Sequence, residues 1–119
     1  MEYFVKHYND WPWGENVIII TNDGIGTVTV TCMKDDPDVG LISDMSVHHS
    51  TRKLGIGNLL LNECEHEIKK KGLKKAKLMA EYKSMPYDWY KRHGYEETGE
   101  MQMFPQSMES MFVTMEKTL

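Results

Sequence analysis

The chain has 119 residues, of which 40% are hydrophobic and 27% charged, with a formal net charge of −4. That length supports one hydrophobic core and a single domain over 1–119, with the composition of an ordinary globular protein. The acidic balance argues against nucleic acid as a partner, and the longest apolar runs, Val17–Ile20 and Leu59–Leu61, are far too short to span a bilayer.

The N-terminus, Met1-Glu2-Tyr3-Phe4-Val5-Lys6, lacks the apolar core of a signal peptide. Cys32 and Cys64 stand at unrelated spacing and make neither a disulfide framework nor a zinc knuckle, so a reduced, cytoplasmic setting is expected. Residues 1–15 read as an aromatic and polar turn or loop, punctuated by Pro12 and Gly14. Asn16–Thr21 is a β-branched run and reads as a strand. Asn22-Asp23-Gly24 is a hairpin signal, because these residues tolerate positive φ. The return strand, Gly26–Met33, sets Val28 and Val30 on one face and Thr27, Thr29 and Thr31 on the other. A charged turn, Lys34–Gly40, leads into Leu41–Val47, the third strand of an antiparallel meander.

From Gly55 the period becomes helical, with Gly57, Leu61, Cys64 and Ile68 on one stripe. Glu65 with Lys69 and Glu67 with Lys71 form acid-before-base pairs on the side expected to face solvent. Lys69, Lys70 and Lys71 suit the negative end of a helix, and Gly72 supplies a stop. Lys75–Tyr82 reads as a strand, parallel to Leu41–Val47 because a helix connects them. A short helix runs from Met85 or Pro86 to Arg92, ended by Gly94. Two last strands, Tyr95–Met101 and Met108–Lys117, form a hairpin. The class is α+β, a mixed and mostly antiparallel sheet with helices on its faces.

The junction of the third strand and the first helix carries the chemistry. Its loop, Arg52-Lys53-Leu54-Gly55-Ile56-Gly57, opens a helix, where unpartnered N–H groups and the helix dipole suit an anion such as a pyrophosphate. Its glycines put no Cβ in the ligand's way.

Arg52, Gly55 and Gly57 resemble the Arg/Gln-x-x-Gly-x-Gly/Ala signature of the GNAT superfamily of acyl-CoA-dependent N-acetyltransferases. Asp44-Met45-Ser46-Val47-His48 resembles that family's approach to the loop, and Trp89-Tyr90-Lys91-Arg92-His93-Gly94-Tyr95 its second signature, F-Y-x-x-x-G-F. The likeness is strongest over residues 40–95. It implies a GNAT fold and transfer of an acetyl group from acetyl-CoA to a primary amine by direct attack, without a metal. The cofactor would be held by Met45, Ser46 and Val47 along its pantetheine arm and by Arg52, Lys53, Leu54, Gly55, Ile56, Gly57 and Asn58 around its pyrophosphate. In the family the strands flanking the helix splay apart and the arm enters as an added strand.

The same resemblance gives Tyr90 the role of acid toward the leaving thiolate, since a phenol is protonated at neutral pH. The base is less defined. Ser43 stands where many members carry glutamate; Glu81, at the end of the following strand, is the candidate, working through water. Asp44, His48 and His49 are alternatives, with Asp44 on the opposite face from Ser43 if the strand is regular. The asparagine some members carry before the tyrosine helix is replaced by Lys83 and Ser84.

Cys64 and His66 are two apart on a helix, so they diverge rather than form a metal pair. Most family members place a strand and two helices before the hairpin, and residues 1–15 cannot supply two full helices. The acceptor side is therefore open or completed by a second subunit, with Tyr8, Trp11 and Trp13 as candidate covers and a homodimer as the expected assembly. Acids at Glu2, Asp10, Glu15, Asp23, Asp35, Asp36 and Asp38 would attract a cationic acceptor, a small-molecule amine or a lysine or N-terminal amine. The rival reading is a non-catalytic acyl-CoA-binding module.

Overall fold

A computed structural model describes residues 3–12, 14–21, 26–48, 55–103 and 111–119. Among these described residues, seven strands and two helices lie in the order β1 (Tyr3–Trp11), β2 (Gly14–Thr21), β3 (Gly26–Met33), β4 (Val39–Val47), α1 (Ile56–Lys70), β5 (Lys75–Glu81), α2 (Met85–Arg92), β6 (Glu96–Met103) and β7 (Met111–Thr118). The class is the expected one, α+β and mostly antiparallel. The chain divides into two compact units, Met1–Ala76 with Leu119, and Lys77–Thr118.

In the first unit β1, β2, β3 and β4 form an antiparallel meander in chain order. The first strand corrects the sequence reading. Residues 3–11 are extended and pair with β2 from Tyr3↔Thr21 to Trp11↔Gly14. The Pro12 and Gly14 signals mark only the turn between the two strands. What makes the segment a strand is its neighbour, a β-branched run offering a full row of partners.

The alternation along β3 is as expected. Val28 and Val30 are fully buried, together with Val17 and Ile19 of β2 and Ile42 of β4, while Thr27, Thr29 and Thr31 are half-exposed. α1 covers the valine face. Its buried stripe is Ile56, Leu60, Leu61, Cys64, Glu67 and Ile68, so Ile56 and not Gly57 begins it.

Two glycines let α1 lie close on the strands. A Cβ on Gly26 would stand 2.7 Å from Ile56 Cγ2, and one on Gly40 would stand 2.4 Å from Ile68 Cγ1. The helix is thus seated at both ends, at Gly26 by its first turn and at Gly40 by its last. Thr21, fully buried, accepts from the Gly26 N–H at 3.0 Å and holds the neighbouring strand ends together.

Glu67 corrects a second expectation. It is buried rather than solvated, and Lys71 pairs with Glu15 of β2 instead of with it. The Tyr3 phenol of β1 donates to Glu63, one turn earlier on α1. That hydrogen bond, then burial, then the charges of Glu63 and Glu67 raise the Tyr3 pKa above its ordinary value. Neither contact is legible locally, because each joins the helix to a strand more than forty residues away.

In the second unit the strand order is β5-β7-β6, with β6 and β7 antiparallel. Within this unit β5 buries Leu78 and Ala80, and β7 buries Val113 and Met115. Of the methionines near the C-terminus, Met115 fills the core, whereas Met101 is 64% exposed.

Candidate active site

The end of β4 is irregular in a way its sequence does not announce. Thr29 pairs with Ser43 and Thr27 with Ser46, so one residue of β3 faces two of β4, Asp44 and Met45. This is a β-bulge, and Asp44 takes up the extra residue at φ 54°. Asp44, exposed, thus stands in a bulge rather than in the regular strand the sequence suggests. The bulge also reverses the alternation. Ile42 shares the buried face with Val30, yet Val47 pairs with Gly26, whose missing Cβ points at Ile56 and Leu60. Ser43 and Ser46 sit opposite threonines on the other face. Met45, Ser46 and Val47, the residues expected along a pantetheine arm, are the three that follow the irregularity.

α1 then begins without a cap of its own. Gly55 is the N-cap residue at φ 77°, ψ 12°, with no side-chain hydrogen bond to the helix and no acid in the first turn. Leu59 N–H closes that turn on Gly55 O at 3.1 Å. Among the described residues nothing lies within 4 Å of where a Gly55 Cβ would be. At Gly55, the N-cap position, there is no Ser, Thr, Asp or Asn side chain to cap the helix. Such an end accommodates an anion. Ile56 is buried and holds the turn on β3, while Gly57 and Asn58 are more exposed. Arg52, Lys53, Leu54 and His49 lie outside the described residues.

α2 has the opposite kind of start. Ser84 accepts from the Tyr87 N–H at 3.3 Å and donates to Glu81 O at 2.6 Å, and Pro86 and Asp88 occupy the first turn. The residues that replace the family's asparagine thus form a helix cap: Ser84 closes the turn, and Lys83 before it takes φ 60°. Glu81, the expected base, is the last residue of β5; its carbonyl receives Ser84, and its side chain is exposed. Tyr90, the expected acid, is half-exposed in the last turn of α2, its ring edge-on to Trp89 at 5.1 Å and to Tyr95 at 5.8 Å.

Tyr87, not singled out from the sequence, is buried and donates to Glu97 at 2.7 Å. That bond raises its pKa, as it favours the neutral phenol. Its signal was only a second tyrosine one turn before Tyr90.

Cys64 is fully buried, and burial pushes its thiol far above the ordinary range. It is core, and His66 beside it is exposed. His48 is exposed at the end of β4. Among the described residues no cluster of three His, Cys, Asp or Glu could hold a metal, and no helix is long and apolar enough to cross a membrane.

A family model described as an acetyltransferase (GNAT) domain matches residues 13–97. No curated protein sequence matches the chain. Among solved structures, an acetyltransferase from Bacillus cereus is 26% identical, with TM-score 0.70 over 97% of this chain and 74% of its own. A GNAT family acetyltransferase from Elizabethkingia anophelis, solved with acetyl-CoA bound, is 16% identical, with TM-score 0.70 over 99% of each chain. Nourseothricin acetyltransferase is 18% identical, with TM-score 0.73 over 90% of this chain; the match spans 66% of that protein.

Proposed function

This chain belongs to the GNAT acetyltransferase family, and from that premise we propose that it moves an acetyl group from acetyl-CoA to a primary amine by direct attack. The observation that carries the reading is the uncapped N-terminus of α1, with left-handed Gly55 and open space where a side chain would stand. The donor set fits a diphosphate: main-chain N–H groups at the positive end of a helix, with no carboxylate in the first turn to repel it. In this reading Arg52, Lys53, Leu54, Gly55, Ile56, Gly57 and Asn58 hold the pyrophosphate. Met45, Ser46 and Val47 pair with the amides of the pantetheine arm. The bulge supports that second role, because it takes the end of β4 out of simple register with β3. All these roles fall within one domain, 1–119.

Acetyl-CoA supplies an acyl group activated as a thioester. A backbone N–H near Val47 stabilises the carbonyl oxygen as it gains negative charge. The amine nitrogen bonds to the acyl carbon, and the carbon–sulfur bond breaks with its electron pair going to sulfur. Tyr90 gives that thiolate its phenolic proton and regains one from solvent. The proton that the amine sheds passes through water to Glu81, whose exposed carboxylate exchanges with bulk. The acceptor is a cationic amine, small or on a peptide, drawn by exposed Asp35, Asp36 and Asp38. We assign the enzyme to the cytoplasm on the strength of free Cys32 and Cys64. We also assign it a homodimer, with β1 as an outer strand of its unit and Tyr8 42% exposed on it.

One observation favours the rival reading, an acyl-CoA-binding module without turnover: Ser43, where many relatives have glutamate, faces Thr29 and offers no carboxylate. Calorimetry with coenzyme A and thiol release against a panel of amines separate the readings. The enzyme reading expects binding and turnover, with kcat about 30-fold lower in Tyr90→Phe and KM for acetyl-CoA unchanged. Tight binding with no turnover on any amine selects the module, and no binding at millimolar coenzyme A removes both.

A further inference from the structure

The turn that ends α2 is built around Tyr90. Tyr95 N–H donates to Tyr90 O at 3.1 Å and Gly94 N–H to Lys91 O at 3.1 Å. Gly94 sits at φ 95°. That is a Schellman motif, with His93 as C-cap, Gly94 as the left-handed residue after it and Tyr90 as the position that receives the long bond. Such motifs carry a side-chain contact between the receiving residue and the one past the glycine. Here it is the edge-on pair of Tyr90 with Tyr95, which is 1% exposed. Trp89 closes on Tyr90 from its own side at 5.1 Å. Trp89 is in turn held by His93, whose ring lies 4.3 Å away and whose Nδ1–H donates to Trp89 O at 2.7 Å. A carbonyl only accepts, so that contact fixes the proton on Nδ1.

We propose that this cap is the device that aims the Tyr90 hydroxyl, and that Tyr95 is its positioning residue. The backbone bonds alone leave a tyrosine free to turn about two torsions. The phenol oxygen stands at the far end of the ring, so small rotations move it by ångströms. The buried Tyr95 ring and the braced Trp89 ring remove that freedom before the reaction begins, which is where orientation contributes to rate. A residue that accepts a left-handed backbone is required at 94 for the same purpose: most side chains are strained at that φ, while a Cβ would meet only the flexible end of Lys117, at 3.3 Å from Cε.

The inference rests on Tyr90 acting as the acid. Its test compares Gly94→Ala, Gly94→Asn, Tyr95→Leu and Tyr90→Phe, assayed with acetyl-CoA and whichever of spermidine, tyramine or a lysine peptide turns over fastest. Ring-labelled tyrosine NMR is run on the same proteins. Gly94→Ala and Tyr95→Leu are expected to lower kcat about tenfold with KM for acetyl-CoA unchanged, and to average the Tyr90 ring signals. Gly94→Asn, which tolerates a left-handed φ, recovers most of both. Added to Tyr90→Phe, either cap change costs no further kcat. Cap variants that leave the Tyr90 signals and kcat unchanged overturn the proposal, as do losses that multiply with Tyr90→Phe. If Tyr90→Phe alone leaves kcat intact, the acid assignment fails instead; if Tyr90→Phe is slow and the folded cap variants are not, only the positioning role fails.

Discussion

The two helices of this protein start in opposite ways. α2 is closed by its own sequence: Ser84 caps it, Pro86 presets its first turn and Asp88 complements its dipole. α1, nearly twice as long, has none of these and opens on a left-handed glycine. A helix start without a side-chain cap is less stable than it could be. Its stability is then supplied by packing behind it, through Ile56 and Leu60 against Gly26. α2 is closed by side chains of its own, and in the proposed reading α1 receives an anion instead. In that reading, the difference separates a structural helix start from a binding one within a single short chain.

The comparison predicts effects of different kind at the two ends. Replacing Gly55 and Gly57 together by Val fills the open end of α1. Coenzyme A affinity measured by calorimetry is expected to fall about 100-fold, equivalent to about 2.7 kcal/mol. Unchanged affinity would break the comparison at its centre. At the other helix, Ser84→Ala removes a cap, so urea unfolding is expected to show a loss of about 1 kcal/mol, with coenzyme A affinity unaltered. The smallest change sharpens the contrast most. Asn58→Asp puts a carboxylate into the first turn of α1. It is expected to raise stability by about 0.5 kcal/mol while weakening coenzyme A binding about fivefold, so that the two quantities move in opposite directions. A parallel rise in both would mean that the end of α1 is not where the anion binds.

Much of this was legible in the sequence because it is local. The β2–β3 hairpin, the valine and threonine faces of β3, the span of α1 and the stop at Gly94 follow from turn residues and periodicity within a few positions. What escaped depends on partners far along the chain. β1 has no strand pattern strong enough to outweigh Pro12 and Gly14, and becomes a strand by pairing with β2. Glu67 occupies a polar position by periodicity, yet is buried beside residues brought in by β1. In the candidate site, the glycine at the start of α1 was readable from the change to a helical period after it. The bulge at Asp44 was not, since it carries no glycine to mark it.

That bulge gives β4 an odd dependence on length. Ile42 and Val47 face α1 although their numbers differ in parity, and only the surplus residue at 44–45 makes this so. Were the strand to run regular at its present length, plain alternation would set Ser46 opposite Gly26, and a hydroxyl would be driven against Ile56. A single codon deleted at 44–45 would take out only that surplus, leaving Ile42 and Val47 on the face they now share, whereas one deleted from a regular stretch would have no such slack to absorb it.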